Sequence, residues 1–260
     1  MEEPRAAQPR ADEPRADGPT SGLGMDSPRR ALLLVALVTL GVSGLSHIDR
    51  LIPRLGPYVG TLVGAAFLLV SWWAVLRHSD ALVRAHGLGL GGLTEDRPLD
   101  ARRLARDGLR ALGWALLLAA VIFPPFWLGY RAYWHARGLF VLRVPADWWD
   151  IALGQLLVVA LPEEAFYRGY LQTALERGWK SRRWRVLGAE LGPGWLACAV
   201  IFALGHYFAL PNPNRLAVFF PALVFGWLRA RTGGIGAGIA FHALCNLLTD
   251  TLGRGYHYGP

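Results

Sequence analysis

Long apolar stretches alternate with short basic segments through most of this chain. A helix that crosses a membrane needs about 20 apolar residues, because it rises about 1.5 Å per residue through a hydrocarbon core of about 30 Å. The segment 81–108 is typical of an amphipathic surface helix, although it leaves room for an eighth membrane helix. The pattern therefore predicts an all-α, polytopic transmembrane helix bundle of seven to eight spans. The seven apolar windows are 31–46, 57–76, 109–130, 148–175, 195–210, 215–229 and 233–252.

The composition agrees with a membrane protein and argues against one that binds nucleic acid. Hydrophobic residues make up 53% of the chain and charged residues only 18%, whereas soluble domains average about 25% charged residues. The formal net charge is +8, but the arginines flank the apolar stretches and do not form a basic stripe. The two cysteines, Cys198 and Cys245, predict neither a disulfide framework nor a zinc-finger site.

Basic residues are concentrated in alternate loops, which gives the chain an orientation. Arginine and lysine cluster at 77–106, 177–185 and 229–231, while the loops between these segments carry fewer of them. Because cytoplasmic loops are enriched in these residues, the amino terminus is predicted to be cytoplasmic. We expect an integral protein of a bacterial inner (plasma) membrane.

The chain is predicted to divide into four parts. Residues 1–28 repeat Pro, Arg and Ala without an apolar face and are expected to form a disordered tail. Residues 29–108 hold two transmembrane helices and the cytoplasmic amphipathic segment. Residues 109–252 form a membrane core that carries the candidate chemistry, and residues 253–260 form a short tail.

Five ionisable side chains lie deep inside the apolar stretches, namely Glu163, Glu164, Arg168, His206 and His242. A charge at the centre of a bilayer costs about 2.5 to 3.5 kcal/mol on insertion scales, so such residues rarely persist without a partner or a task. Carboxylates and imidazoles are the groups that move protons and activate water. The sequence therefore points to chemistry inside the membrane.

The spacing of these residues brings one acid and two imidazoles to a common depth. Counted from the cytoplasmic helix ends, Glu163, His206 and His242 lie roughly 14 to 20 Å deep. Glu164 precedes Arg168 by four positions, which is the favourable order for an ion pair within a helix. Glu163 projects about 100° away from Glu164 around the helix, so it is left free for a separate task.

Three short motifs occur in order along the chain, each within an apolar helix. They are EExxxR at Glu163, Glu164 and Arg168, FxxxH at Phe202 and His206, and HxxxN at His242 and Asn246. In this combination the chain resembles the CPBP family, the CAAX-protease and bacteriocin-processing group of intramembrane glutamic endopeptidases. The resemblance covers about residues 109–252. The eukaryotic members have eight spans, one more than the apolar windows predict here.

The resemblance implies a role for each motif residue. Glu163 would act as general base on a water molecule, assisted by His206. His242 and Asn246 would stabilise the oxyanion that forms at the scissile carbonyl. The implied substrate is a membrane-associated or lipidated protein or peptide. The resemblance implies no cofactor, and a zinc ion at the site stays an open alternative. The motif residues that would support the site structurally are Glu164, Arg168 and Phe202.

Three other functions remain open on the sequence alone. One Glu and two His match the ligand types of catalytic zinc, so a zinc-dependent membrane hydrolase is an alternative, although no HExxH motif occurs. A non-catalytic membrane immunity or chaperone protein of the same fold is the second. A proton-coupled transporter, which also uses buried Glu and His, is the third. The sequence distinguishes neither a prenylated substrate from a sorting signal or a bacteriocin precursor, nor the oligomeric state.

Overall fold

A computed structural model describes residues 27–136, 138–179 and 181–256. Most of these residues are helical, as the hydrophobic pattern predicts. The predicted tail 1–28 lies outside the described residues apart from its last two positions, and so do residues 257–260 of the predicted carboxy-terminal tail.

The amino-terminal part consists of helices joined by short 3-10 turns. Asp100 begins the longest of these helices, because its carboxylate accepts hydrogen bonds from the backbone N–H groups of Arg102 and Arg103 at 2.9 and 3.2 Å. That helix starts eight residues before the predicted third span at 109, so part of the amphipathic segment and the span form one continuous helix. The helices are α1 (Pro28–Leu45), α2 (Val59–Ser71, extended by a π-helical turn at Trp72–Leu76), α3 (Asp80–Ala85) and α4 (Ala101–Tyr133), and the 3-10 turns are Ile48–Arg50, Pro53–Tyr58 and Leu90–Gly92.

The next helix, α5, runs without a break over residues 148–178 but changes its winding along its length. It is α-helical at Trp148–Leu153, Leu161–Glu164 and Thr173–Gly178 and π-helical at Gly154–Ala160 and Ala165–Gln172. π-helical turns are rare and occur frequently at functional sites. The single α-helical turn between the two π-helical segments carries the adjacent pair of glutamates.

The carboxy-terminal part contains a small hairpin that the sequence analysis did not predict. Its two antiparallel strands are joined by Leu187 and Gly188, whose φ angles of 45° and 78° suit a two-residue hairpin turn. Strands of three residues are too short to show an alternating pattern in the sequence. The described residues are otherwise mostly helical, so the predicted helical fold holds apart from this hairpin. The elements are β1 (Trp184–Val186), β2 (Ala189–Leu191), α6 (Pro193–Ala209), a 3-10 turn (Pro213–Val218), α7 (Phe219–Thr232) and α8 (Gly236–Gly255).

Three helical stretches within the described residues are long and apolar enough to cross a membrane, namely Pro28–Arg50, Pro53–Leu76 and Ala101–Tyr133. Helices α6 and α7 have 17 and 14 residues, which is shorter than the length of about 20 that spans a bilayer unaided. The number of seven to eight spans and the cytoplasmic amino terminus therefore stay predictions.

Helix α5 lies at the centre of the bundle. Its segment Ala165–Gln172 is buried at every position. On one side, α2 approaches so closely that a Cβ atom at Gly64 would collide with the carbonyl oxygen of Val158. On another side, the side-chain amide of Gln172 donates a hydrogen bond to the carbonyl oxygen of Gly226 in α7 at 3.1 Å. The glutamates of α5 consequently face protein on several sides.

Glu95 fixes the loop between α3 and α4 to the bundle. Its carboxylate accepts hydrogen bonds from Arg103 at 2.6 Å and from Arg84 at 3.1 Å, and its side chain is almost fully buried. The hydrogen bond from Arg103 holds the pKa of Glu95 below its ordinary value. In the same loop, Leu88 packs so tightly on Gly169 of α5 that a Cβ atom at Gly169 would meet its side chain. The loop therefore braces α5 near the end that is predicted to be cytoplasmic.

The predicted orientation can be tested by labelling introduced cysteines from one side of the membrane. Leu187 in the hairpin and Leu139 in the loop after α4 are 83% and 92% exposed and lie on opposite sides in the predicted topology. In a variant without Cys198 and Cys245, we expect a membrane-impermeant maleimide added outside intact cells to label Leu139→Cys and not Leu187→Cys. The reverse labelling pattern would contradict a cytoplasmic amino terminus.

Candidate active site

Glu164 forms the ion pair that the spacing of four residues predicts. Its Oε1 lies 3.0 Å from Nη1 of Arg168, and the two side chains are 0% and 1% exposed. The guanidinium of Arg168 also lies over the ring of Phe202, 4.2 Å from its centroid, and 5.0 Å from the ring centroid of Phe225. Such cation–π contacts are strongest where water is excluded. The buried charge is thus surrounded by one carboxylate and two aromatic faces.

His242 of α8 connects the two glutamates. Its Nδ1 lies 3.0 Å from Oε1 of Glu164, and its Nε2 lies 3.8 Å from Oε2 of Glu163. The imidazole is stacked on the ring of Phe225, with a centroid distance of 4.6 Å and an interplanar angle of 16°. The contact between His242 and Glu164 was not predicted, because the sequence analysis assigned Glu164 to Arg168 alone. The two residues are 78 positions apart, and no local pattern indicates their contact.

His206 of α6 faces Glu163 from the other side. Its Nδ1 lies 2.9 Å from the carbonyl oxygen of Phe202, one helical turn earlier, and its Nε2 lies 4.0 Å from Oε2 of Glu163. The rings of Phe202 and His206 are 4.4 Å apart. The FxxxH motif therefore has a physical basis: the residue four positions before His206 supplies both a hydrogen-bond acceptor and a packing surface for the imidazole.

The hydrogen-bond partners assign the tautomers of both imidazoles. A backbone carbonyl and a carboxylate only accept, so Nδ1 of His206 and Nδ1 of His242 each carry a proton. In the neutral rings, Nε2 is then an acceptor, and both Nε2 atoms face the carboxylate of Glu163. A water molecule between these three acceptors can donate its two hydrogens to two of them, and an extra proton on one of the three would supply a further donor. Hydrogen bonds of about 2.8 Å meeting at one water would span the observed gaps of 3.8 and 4.0 Å.

Oε2 of Glu163 is buried and has no hydrogen-bond donor among the described residues. The side chain as a whole is 14% exposed, and that of His206 is 21% exposed, so the group is reachable and not sealed. Unsatisfied buried carboxylate oxygens are costly and rare in folded proteins. Oε2 of Glu164 also has no hydrogen-bond partner among the described residues, but that side chain is 0% exposed. Glu163 combines an unsatisfied oxygen with access from outside and is therefore the candidate for chemistry.

Asn246 lies one turn beyond His242 on α8, and its side chain is held by a residue that the sequence analysis missed. Its Nδ2 donates a hydrogen bond to Oε1 of Gln155 in α5 at 2.8 Å. None of the described hydrogen bonds joins Asn246 directly to Glu163. The signal that could have found Gln155 is its polarity within the apolar run IALGQLLVVAL.

A glycine on α8 allows the close approach of Glu164. A Cβ atom at Gly238 would lie 2.9 Å from Oε2 of Glu164. Gly238 precedes His242 by four residues, so it lies on the same face of the helix. The absence of a side chain at Gly238 therefore lets α8 bring His242 within hydrogen-bonding distance of Glu164.

The residues described by the structure contain no group of three or more His, Cys, Asp or Glu side chains arranged to hold a metal ion.

The three helices thus bring Glu163, Glu164, Arg168, His206 and His242 together, with Asn246 one turn away. Residues 145–248 match the family model of the type II CAAX prenyl endopeptidases, Rce1-like. This match confirms the resemblance that the three motifs indicate. The matched segment contains all three motifs and is shorter than the predicted extent of 109–252. No curated protein and no solved structure matches the chain.

The Rce1-like match supports a hydrolase of the protease class that is an integral membrane protein.

The Arg168–Glu164 pair should be essential for stability, because removing one partner leaves the other charged and buried. We expect Arg168→Met to lower the free energy of unfolding by about 3 to 5 kcal/mol. The matched control is Arg254→Met, which breaks an exposed ion pair with the same spacing, Arg254–Asp250, and should cost at most about 1 kcal/mol.

Denaturant unfolding in detergent micelles measures both variants. Equal losses in Arg168→Met and Arg254→Met would contradict the assignment of a buried, energetically coupled pair.

Proposed function

We propose that this chain is an intramembrane endopeptidase of the glutamic type, in which Glu163 activates a water molecule for attack on a peptide bond. The observation that carries the proposal is the position of Glu163 Oε2, which lies 3.8 and 4.0 Å from the Nε2 atoms of His242 and His206. Because both Nδ1 atoms are committed as donors, all three facing atoms are free to accept protons. A base with two neighbouring proton acceptors is suited to general acid–base catalysis.

In the first step, Glu163 takes one proton from the water. The water oxygen forms a bond to the carbonyl carbon of the scissile peptide, and the carbonyl π electrons move to its oxygen. His206 orients the water through Nε2 and receives or returns protons during the reaction. In the second step the C–N bond breaks, and the departing amine takes the proton that Glu163 holds. One water is consumed, and one carboxyl group and one amine are formed.

The oxyanion of the tetrahedral intermediate needs donors aimed at it. Asn246 Nδ2 has a second N–H beside the one that it gives to Gln155, and Gln155 would hold the amide in a fixed orientation. His242 can donate from Nε2 only as an imidazolium, because its other proton is used at Nδ1. The proposed oxyanion role of His242 therefore requires that Nε2 carry a proton before the water attacks, because the proton released by the water goes to Glu163.

The substrate class follows from the family alone. A membrane-associated or lipidated protein would present its scissile bond to Glu163 inside the bilayer. A prenylated tail, a carboxyl-terminal sorting segment and a bacteriocin precursor are all compatible with such a site, and the chain's own geometry favours none of them.

The proposal is tested by Glu163→Gln, which keeps the shape of the side chain but removes its basicity. We expect proteolysis to fall by about 100-fold or more, the usual contribution of a general base, while the protein stays folded and in the membrane. The matched control is Glu190→Gln, the same change at an exposed position in β2, which should leave proteolysis unchanged.

Comparative proteomics of membranes from cells that carry each variant provides the measurement. An uncleaved precursor should accumulate with Glu163→Gln and not with Glu190→Gln. Retained cleavage in Glu163→Gln would reject the glutamic mechanism. Identical proteomes in all strains, including one that lacks the protein, would favour a non-catalytic role.

A further inference from the structure

A cavity of about 820 Å³ opens between α4 and α6, separate from the group around Glu163. Its walls come from the end of α4, the middle of α6, the 3-10 turn Pro213–Val218 and the start of α7. Phe126, Tyr130, Leu204, Leu216 and Phe220 are among the residues that line it. Within the described part of the chain, its lining includes neither glutamate of the candidate site and neither of its histidines.

The lining restricts what can occupy this space. Protein interiors are close-packed, and a cavity of this size lies within the range of about 300 to 1,000 Å³ that small-molecule sites occupy. A water molecule in a cavity needs two to four polar partners, and the walls consist mainly of aromatic and aliphatic side chains. The occupant must therefore be apolar and flexible enough to follow walls contributed by several elements.

The surroundings of the cavity identify a source for such an occupant. Phe220 and Leu204 on its walls are 69% and 40% exposed, and Leu128 beside it on α4 is 68% exposed. The exposed side chains around the opening are thus apolar on three helices, and one of these helices, α4, is long and apolar enough to cross a membrane. With α4 placed across a membrane, a cavity that opens on this surface would meet the hydrocarbon chains of the bilayer.

One edge of the cavity is polar. The hydroxyl of Tyr133 donates a hydrogen bond to Oδ1 of Asn214 at 2.6 Å, and Trp134 lies next to Tyr133 on the same rim. Tyrosine and tryptophan favour the level of the lipid headgroups, where one end of the ring is apolar and the other is wet. An apolar chamber with an aromatic, hydrogen-bonding rim suits a molecule with a polar head and a hydrocarbon tail.

We propose that the α4–α6 cavity is a specific site for one acyl chain of a membrane phospholipid. The chain lies among the aromatic side chains between α4 and α6, and the headgroup lies at the rim formed by Tyr133, Trp134 and Asn214. Leu204 is two residues from His206, and Thr249 on the cavity wall is three residues beyond Asn246. The bound chain therefore supports the two helices that present the candidate site, and its binding does not depend on the proposed peptidase activity.

The test uses the full-length protein in phosphatidylcholine vesicles that contain a small fraction of phosphatidylcholine with a photoreactive group on one acyl chain. After irradiation, mass spectrometry of the digested protein locates the cross-links. We expect them to concentrate in 126–134, 200–204 and 213–220 and to saturate as the fraction of probe rises.

Two matched glycine variants separate the cavity from the general lipid surface. Gly129 lines the cavity, and a Cβ atom there would meet nothing within 4 Å, so Gly129→Phe should fill the space without distorting α4. Gly41 on α1 has equally open surroundings away from the cavity, so Gly41→Phe is its control. We expect Gly129→Phe to lower cavity cross-linking about tenfold, which corresponds to about 1.4 kcal/mol, and Gly41→Phe to leave it unchanged.

Should Gly129→Phe fail to fold, Ala217→Trp on the facing wall serves the same purpose. Cross-links spread evenly over all lipid-facing helices and unaffected by Gly129→Phe would overturn the proposal, since they would show surface lipid only. Labelling of the cavity by a photoreactive lipidated peptide but not by the phospholipid would likewise overturn the assignment of the occupant.

Discussion

The burial of Glu164 is the constraint on which the rest of the site depends. A carboxylate at 0% exposure inside an apolar bundle is tolerable only if cations or donors surround it. Arg168 supplies the charge from the same helix, and His242 supplies a second contact from α8. Gly238 lets α8 come close enough for that contact. The contacts that compensate the charge of Glu164 therefore fix the distance between α5 and α8. They also fix the orientation of the His242 imidazole.

The same arrangement explains why Glu163 is left available. Its neighbour takes up the cation, so the two adjacent carboxylates have different environments: Glu164 is paired and sealed, and Glu163 is partly exposed and faces two imidazole nitrogens. The α-helical turn Leu161–Glu164, set between two π-helical segments, directs the two side chains to different partners. Adjacent carboxylates with separated roles recur at hydrolytic sites.

Part of this structure could be predicted from the sequence. The pairing of Glu164 with Arg168 followed from helical spacing, and depth alone predicted that His206 and His242 approach Glu163. The contact of His242 with Glu164 could not be predicted, because helical spacing does not fix how α8 is rotated against α5. Gln155 was missed because one polar residue in an apolar run does not reveal its partner on another helix.

The most direct test of the central claim is an experimental structure of the protein in lipid at a resolution that shows water molecules. We predict one water within about 3 Å of both Glu163 Oε2 and His206 Nε2, the distance of a hydrogen bond. A metal ion at this position, or a protein donor bonded to Glu163 Oε2, would contradict a carboxylate that is held free to activate water.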